Sequence, residues 1–223
     1  MNHIKTILLF LVFINYYNLA SQSNFNSLGE SVVSVENKTS KSYSFNFVLR
    51  SRYFLYQPET FNYKQQQVDA FHFSNFKLKQ SYKLSLGVYY RNRDWFDSGH
   101  DELRFLEQIT YSKKRAIAKH SHRFRAEQRI INSKTIYRQR YKFEINTPLN
   151  TNTVKSYLIT AIEGLLSLNK TIKPETDLRF TAIVGWQISE DLKLQTGLEH
   201  RFEAFNLAAK NNLFVLSSAV IKI

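Results

Sequence analysis

Residues 121–146 read SHRFRAEQRIINSKTIYRQRYKFEIN, and the two-residue rhythm of this stretch decides the fold. His122, Phe124, Ala126, Gln128 and Ile130 alternate with Ser121, Arg123, Arg125, Glu127 and Arg129. After a short connection at 132–135, Tyr137, Gln139, Tyr141, Phe143 and Ile145 alternate with Arg138, Arg140, Lys142, Glu144 and Asn146. Successive side chains of an extended chain point to opposite faces, so this spacing gathers bulk on one face and charge on the other. The pair reads as a β-hairpin whose two faces meet different surroundings.

The same rhythm extends in both directions. Upstream, Tyr43, Phe45, Phe47, Leu49 and Tyr53 alternate with Ser42, Ser44, Asn46, Val48, Arg50 and Arg52. A second run at 66–78 slips phase near Phe76, as a bulge would cause. Beyond a tight turn at Lys79-Gln80, Tyr82, Leu84, Leu86, Val88 and Tyr90 oppose Lys83, Ser85, Gly87, Tyr89 and Arg91. The polar segment 94–101 (DWFDSGHD) is a loop, and after it Leu103, Phe105, Ile109 and Tyr111 oppose Glu102, Arg104, Gln108 and Thr110, with Glu107 interrupting the apolar face. A turn is expected at 113–115. Downstream, 154–168 is apolar on both faces; Leu178 to Trp186 and Leu192 to Leu198 alternate cleanly, and the chain finishes on Leu213, Val215, Ala219, Ile221 and Ile223. About eleven strand candidates of about ten to fourteen residues result, with no convincing helix.

Residues 1–21 read as a secretory signal: Lys5, an apolar run over 7–13, and small residues Ala20 and Ser21 before a cut ahead of Gln22. The expected mature domain is 22–223. The chain has 0 Cys, so neither disulfides nor a lipoprotein anchor is expected. A formal charge of +13 would point to nucleic acid in a cytoplasmic protein, but export removes that partner. With 18 Phe, 13 Tyr and 2 Trp against 3 Pro and 6 Gly, the composition is that of strands, not of a disordered tail.

Transmembrane strands need about nine to eleven residues, whereas strands of soluble domains usually run to about five or six. The expectation is therefore an all-β chain forming a single antiparallel up-and-down transmembrane β-barrel of 10 to 12 strands in the cell outer membrane. Closure satisfies every backbone group in hydrocarbon. Aromatic residues near segment ends (Tyr53, Phe54, Tyr56, Tyr89, Tyr90, Trp95, Phe96, Tyr111, Tyr137 and Phe202) suit interfacial girdles. Bacterial barrels normally hold an even number of strands, so either 24–28 adds one or 31–35 stays outside the closure. A soluble periplasmic barrel binding an anionic ligand is the alternative architecture.

Several blocks carry a family likeness: Leu49-Arg50-Ser51-Arg52-Tyr53, Leu84 to Arg93 (LSLGVYYRNR), His122 to Arg129 (HRFRAEQR) and Tyr137 to Tyr141 (YRQRY) leading to Pro148-Leu149. In these the chain resembles a Bacteroidota family of outer-membrane barrels catalogued as domain of unknown function 2490. The resemblance implies an outer-membrane barrel and no established activity, and it transfers no catalytic residue. The chain departs from many such barrels by ending on Ile223 instead of an aromatic residue.

The candidate site is the charged face. Its basic members are Arg50, Arg52, Arg91, Arg93, Arg104, Arg123, Arg125, Arg129, Arg138, Arg140 and Arg201, and its acidic partners are Glu127, Glu144 and Glu199. Two uses are open: arginine–carboxylate ladders that fill a narrow barrel, or a basic lumen that attracts anionic solutes or lipid headgroups through bidentate guanidinium contacts. Outer-membrane lipid is the expected surrounding. No cofactor or metal is expected, although His120 and His122 share a strand face at a spacing a metal could use. The chain is expected not to be an enzyme, the competing class being a barrel-embedded hydrolase of lipid or cell-wall material, for which Ser121 points away from His122.

Overall fold

A strand with bulk on one side and charge on the other needs two solvents, and closing the sheet into a cylinder separates them without leaving an unpaired edge. The structure, a computed structural model describing residues 25–57, 60–93, 101–132, 134–149, 155–169 and 173–223, is such a closed barrel. Its strands are β1 (Phe25–Asn37), β2 (Tyr43–Gln57), β3 (Thr60–Lys77), β4 (Tyr82–Arg93), β5 (Glu102–Arg115), β6 (Ala118–Ile131), β7 (Lys134–Leu149), β8 (Lys155–Leu168), β9 (Glu175–Gln187), β10 (Leu192–Glu203) and β11 (Lys210–Lys222). The expected signal at 1–21 and the aromatic residues Trp95 and Phe96 lie outside the described residues.

Each strand pairs antiparallel with the next, and the cylinder closes where β1 meets β11 in parallel, from Phe25 opposite Asn211 to Glu36 opposite Lys222. The parallel seam follows from the count. Direction alternates along a meander, so the first and last of eleven strands run the same way. The even count expected from sequence is not kept, and 24–28 and 31–35 are not separate cases. Residues 25–28 and 31–35 both fall within the single strand β1, whose Leu28, Glu30 and Ser34 are all buried, and Asn24 lies outside the described residues. Opposite Gly29 lies the ring of Tyr53, so close that a Cβ on Gly29 would come within 2.1 Å of it.

Odd-numbered strands end at one rim and even-numbered strands at the other. The first rim carries the connections 38–42, 78–81, 116–117, 150–154 and 188–191, and also Ile223, whose N–H donates to the Glu36 carbonyl at 2.9 Å. The second carries 58–59, 94–101, 132–133, 169–174 and 204–209. The first rim, with connections of two to five residues, is the tight-turn rim, and the second, where they range from two to eight, is the variable-loop rim. The turn expected at 113–115 falls instead at 116–117, because β5 continues to Arg115 and Ala116 takes the positive φ of 48° that reverses the chain.

The outer surface is apolar around the cylinder: Phe47, Leu49, Val88, Phe105, Phe124, Tyr141, Leu198 and Val215 are all exposed. Of the segment 154–168, which shows no clean period, the described residues 155–168 form strand β8. Ile162, Leu166 and Leu168 face outward and Leu165 inward beside Glu163 and Ser167, which blurs the alternation. Inside, Phe73, Tyr89 and Leu106 form a small buried cluster joined by Phe71. Two residues assigned from sequence to the interfacial girdles therefore belong elsewhere: Tyr89 is buried in that cluster, and Phe54 lines an interior cavity.

Candidate functional site in the barrel interior

Strand register sets cations side by side. Arg104 lies opposite Arg129, Arg125 opposite Arg140, and Arg179 opposite Arg201. Like charges directly opposite destabilise an antiparallel pair, and enclosed charges lose hydration, so such contacts need carboxylates between them. Five carboxylates each bridge at least two arginines. Glu30 meets Arg52 at 2.5 Å, Arg201 at 3.5 Å and Arg50 at 3.6 Å, tying β10 to β1 and β2 across the parallel seam. Asp69 sits between Arg50 at 2.8 Å and Arg91 at 2.9 Å. Glu102 holds Arg104 at 2.7 Å, Arg91 at 3.4 Å and Arg93 at 3.5 Å, and also contacts Arg129. Glu127 joins Arg140 at 2.8 Å to Arg104 and Arg125, and Glu163 joins Arg140 at 2.5 Å, Arg123 at 2.6 Å and Arg179 at 3.9 Å. Aromatic faces add cation–π contacts, with the Arg201 guanidinium 3.6 Å from the Phe214 ring centre and that of Arg104 4.4 Å from Tyr89.

Two cavities flank this network. The larger, of about 780 Å³, is lined from all eleven strands and opens toward the variable-loop rim, where Asn26, Lys64, Arg93, Glu203 and Lys210 stand. The smaller, of about 460 Å³, lies at the tight-turn rim. Its walls hold Lys38, Lys41, Lys77, Lys83, Lys119, Arg123 and Lys142, with Glu144 as the one carboxylate among the described residues lining it. Lys77 stands directly opposite Lys83, and Arg123 opposite Lys142. Of those lysines, among the described residues, only Lys142 forms an ion pair, at 2.6 Å to Glu144. Arg123 and Lys142 line both cavities, so the two adjoin there.

Every arginine named from sequence lines the larger cavity: Arg50, Arg52, Arg91, Arg93, Arg104, Arg123, Arg125, Arg129, Arg138, Arg140 and Arg201. Arg125 is unusual among them. Both its hydrogen bonds, at 2.7 and 2.9 Å, go to the neutral Gln108 side chain, and Glu127 is 3.7 Å away. Glu127 and Glu199 join the network, Glu199 through Arg201 and the Thr181 hydroxyl. Glu144 does not; it lines the smaller cavity. The residues that do most of the bridging, Glu30, Asp69, Glu102 and Glu163, were not among the candidates, nor were Arg179 and the lysines. Their alternation with apolar neighbours was readable for Glu102, Lys83 and Arg179; Glu30 and Glu163 sit where the period was unclear. His120 and His122 pack on the outside, each against Phe143, with His122 Nδ1 2.8 Å from the Tyr141 hydroxyl.

Fold and interior together define a class: a closed up-and-down barrel, apolar outside, whose interior is packed with arginine–carboxylate bridges. The chain belongs to the family described as Protein of unknown function (DUF2490), whose model matches residues 31–212. Among solved structures it is similar to the siderophore receptor PirA from Pseudomonas aeruginosa, at 10% sequence identity and a TM-score of 0.35. That match covers 80% of this chain and 35% of the receptor chain, so this chain spans well under half the receptor's length. No curated protein matches the chain in sequence.

Proposed function

We propose that the chain is a non-enzymatic outer-membrane barrel that passes small anions along a narrow, basic interior path. The observation that carries this reading is that Arg123 and Lys142 line both cavities, so that the two meet at charged side chains inside the barrel. A strand of 12 residues such as β4 rises about 40 Å, and at a tilt of about 45° it crosses about 28 Å, close to the hydrocarbon thickness of roughly 30 Å. The apolar outer surface favours lipid over water, since soluble monomers rarely expose contiguous apolar patches of more than a few hundred Å². Outward rings at the tight-turn rim, with Tyr82 5.0 Å from Tyr111 and Tyr43 5.3 Å from Phe76, suit an interfacial girdle.

Anion preference comes from the smaller cavity more than from the arginine layer. The arginines are largely neutralised by carboxylates, whereas Lys77 and Lys83 face each other with no carboxylate in ion-pair contact among the described residues. In planar bilayers under a potassium chloride gradient, the reversal potential is expected to report anion selectivity, and Lys77→Gln with Lys83→Gln to move it toward zero. A correctly folded barrel that carries no current would instead be a sealed scaffold, the reading that the dense bridging between Glu102, Glu127 and Glu163 supports.

One pair supports the hydrolase reading. His72 Nε2 lies 3.2 Å from Ser74 Oγ, the spacing of a base and nucleophile. His72 Nδ1 is buried without a hydrogen-bond partner among the described residues, so no third polar group there orients the imidazole as a base. Release of fatty acid from phospholipid that is lost in Ser74→Ala would establish this reading in place of the first.

A further inference from the structure

Glu107 interrupts the apolar rhythm of β5, and the fold leaves it on the outer face between the exposed Phe105 and Ile109. Register places it in a row, Leu86–Glu107–Ala126–Gln139–Leu166, that runs across β4 to β8. Two residues along β6 from Ala126, Gln128 is also exposed, opposite Phe105 and Tyr137. Glu107, Gln128 and Gln139 thus surround one small residue, Ala126, near the middle of strands β5, β6 and β7. Phe105, Ile109, Phe124, Tyr137 and Tyr141 enclose them. Among the described residues Glu107 and Gln128 have no ion pair or side-chain hydrogen bond, and Gln139 Oε1 is buried without a donor.

A carboxyl and an amide facing hydrocarbon without partners, beside a second amide whose oxygen is buried without a donor, are costly, and polar groups at that depth mark contacts with protein or water. We propose that this patch is a docking surface for a second copy of the chain, an inference that rests on the membrane reading above. The patch is self-complementary, as a two-fold interface requires, because it carries both acceptor and donors. Rotation about the membrane normal through Ala126 lays the β5 flank of one copy against the β7 flank of its partner. Each Glu107 carboxyl then meets a glutamine amide of the other copy, and Ala126, having no bulk, lets the two sheets approach.

The chain has 0 Cys, so single cysteines report on the contact cleanly. In native membranes treated with a mild oxidant, full-length Ala126→Cys is expected to form a disulfide-linked dimer. Leu198→Cys, exposed on β10 away from the patch, is expected to stay monomeric. Adding Glu107→Leu should lower the dimer to the control level, while Glu107→Gln, which keeps an amide partner, should preserve it. Because Glu107→Leu removes a polar group from a lipid face, that variant still inserts, which heat-modifiable gel migration checks. Equal cross-linking at positions 126 and 198, a dimer indifferent to Glu107→Leu, or linkage of Ala126→Cys to a different protein overturns the proposal. A barrel missing from the membrane fraction overturns the membrane reading instead.

Discussion

Glu102 has none of its surface exposed and contacts four arginines from β4, β5 and β6, so its single carboxylate offsets most of the local repulsion. Glu102→Gln keeps the shape and removes the charge, leaving Arg104 directly opposite Arg129 without their shared counterion. Breaking one partner of a buried ion pair costs about 3–5 kcal/mol, and a loss in that range is expected in the unfolding free energy of the refolded barrel, read from its urea titration. No change in that free energy would mean that the network is not what holds the interior. Ala116 presents the opposite case. Its φ of 48° costs an L side chain about 1 kcal/mol that glycine escapes, so Ala116→Gly should raise the same unfolding free energy by about that amount. These two positions also show what could be read beforehand. The arginines were visible as one face of each strand, because alternation reports facing directly. Which carboxylate each would meet was not, because that depends on strand order and on register between segments such as β5 and β6, which alternation within one strand does not contain. A positive φ at an alanine carries no sequence signal of its own.

The parallel β1–β11 seam is the one element contact that reading strands in sequence does not supply. Hairpins follow from neighbours in the chain, so ten of the pairings come with the strand assignments. The eleventh depends on the count, and the count turned on the N-terminal residues, where Gly29, Ser31 and Ser34 dilute the apolar rhythm. Strand β8 was obscured for a related reason, since inward Ala161 and Leu165 look no different in sequence from outward Ile162 and Leu166. The seam can be tested directly. Ser31 and Ser217 are register partners whose hydroxyl oxygens lie 3.0 Å apart across 186 positions of sequence. Replacing both by Cys should allow a disulfide at that approach, and the denatured, non-reduced chain should then migrate faster because it is closed into a large loop. A barrel closed by an additional strand between β1 and β11 would hold the two cysteines apart, and the mobility would not change.

At the scale of the whole molecule, an odd strand count separates the start of β1 from the end of β11. Phe25 stands at the rim with the variable loops, and Ile223 stands at the rim with the tight turns, bonded to the Glu36 carbonyl. Outer-membrane barrels place short turns in the periplasm and longer loops outside. On the proposed location this puts Ile223, Lys38, Lys41 and the lysine cavity on the periplasmic side, and the larger cavity with Arg93 and Lys210 at the cell surface. An epitope inserted in the 94–101 connection should therefore bind antibody on intact cells, whereas one appended after Ile223 should bind only after the outer membrane is permeabilised. The two insertions probe opposite rims of one cylinder, so their labelling is expected to be mutually exclusive before permeabilisation. Labelling of both on intact cells is incompatible with eleven strands crossing the membrane. Labelling of the C-terminal epitope alone would invert the barrel, and the lysine cavity would then be the entrance that anions meet from outside.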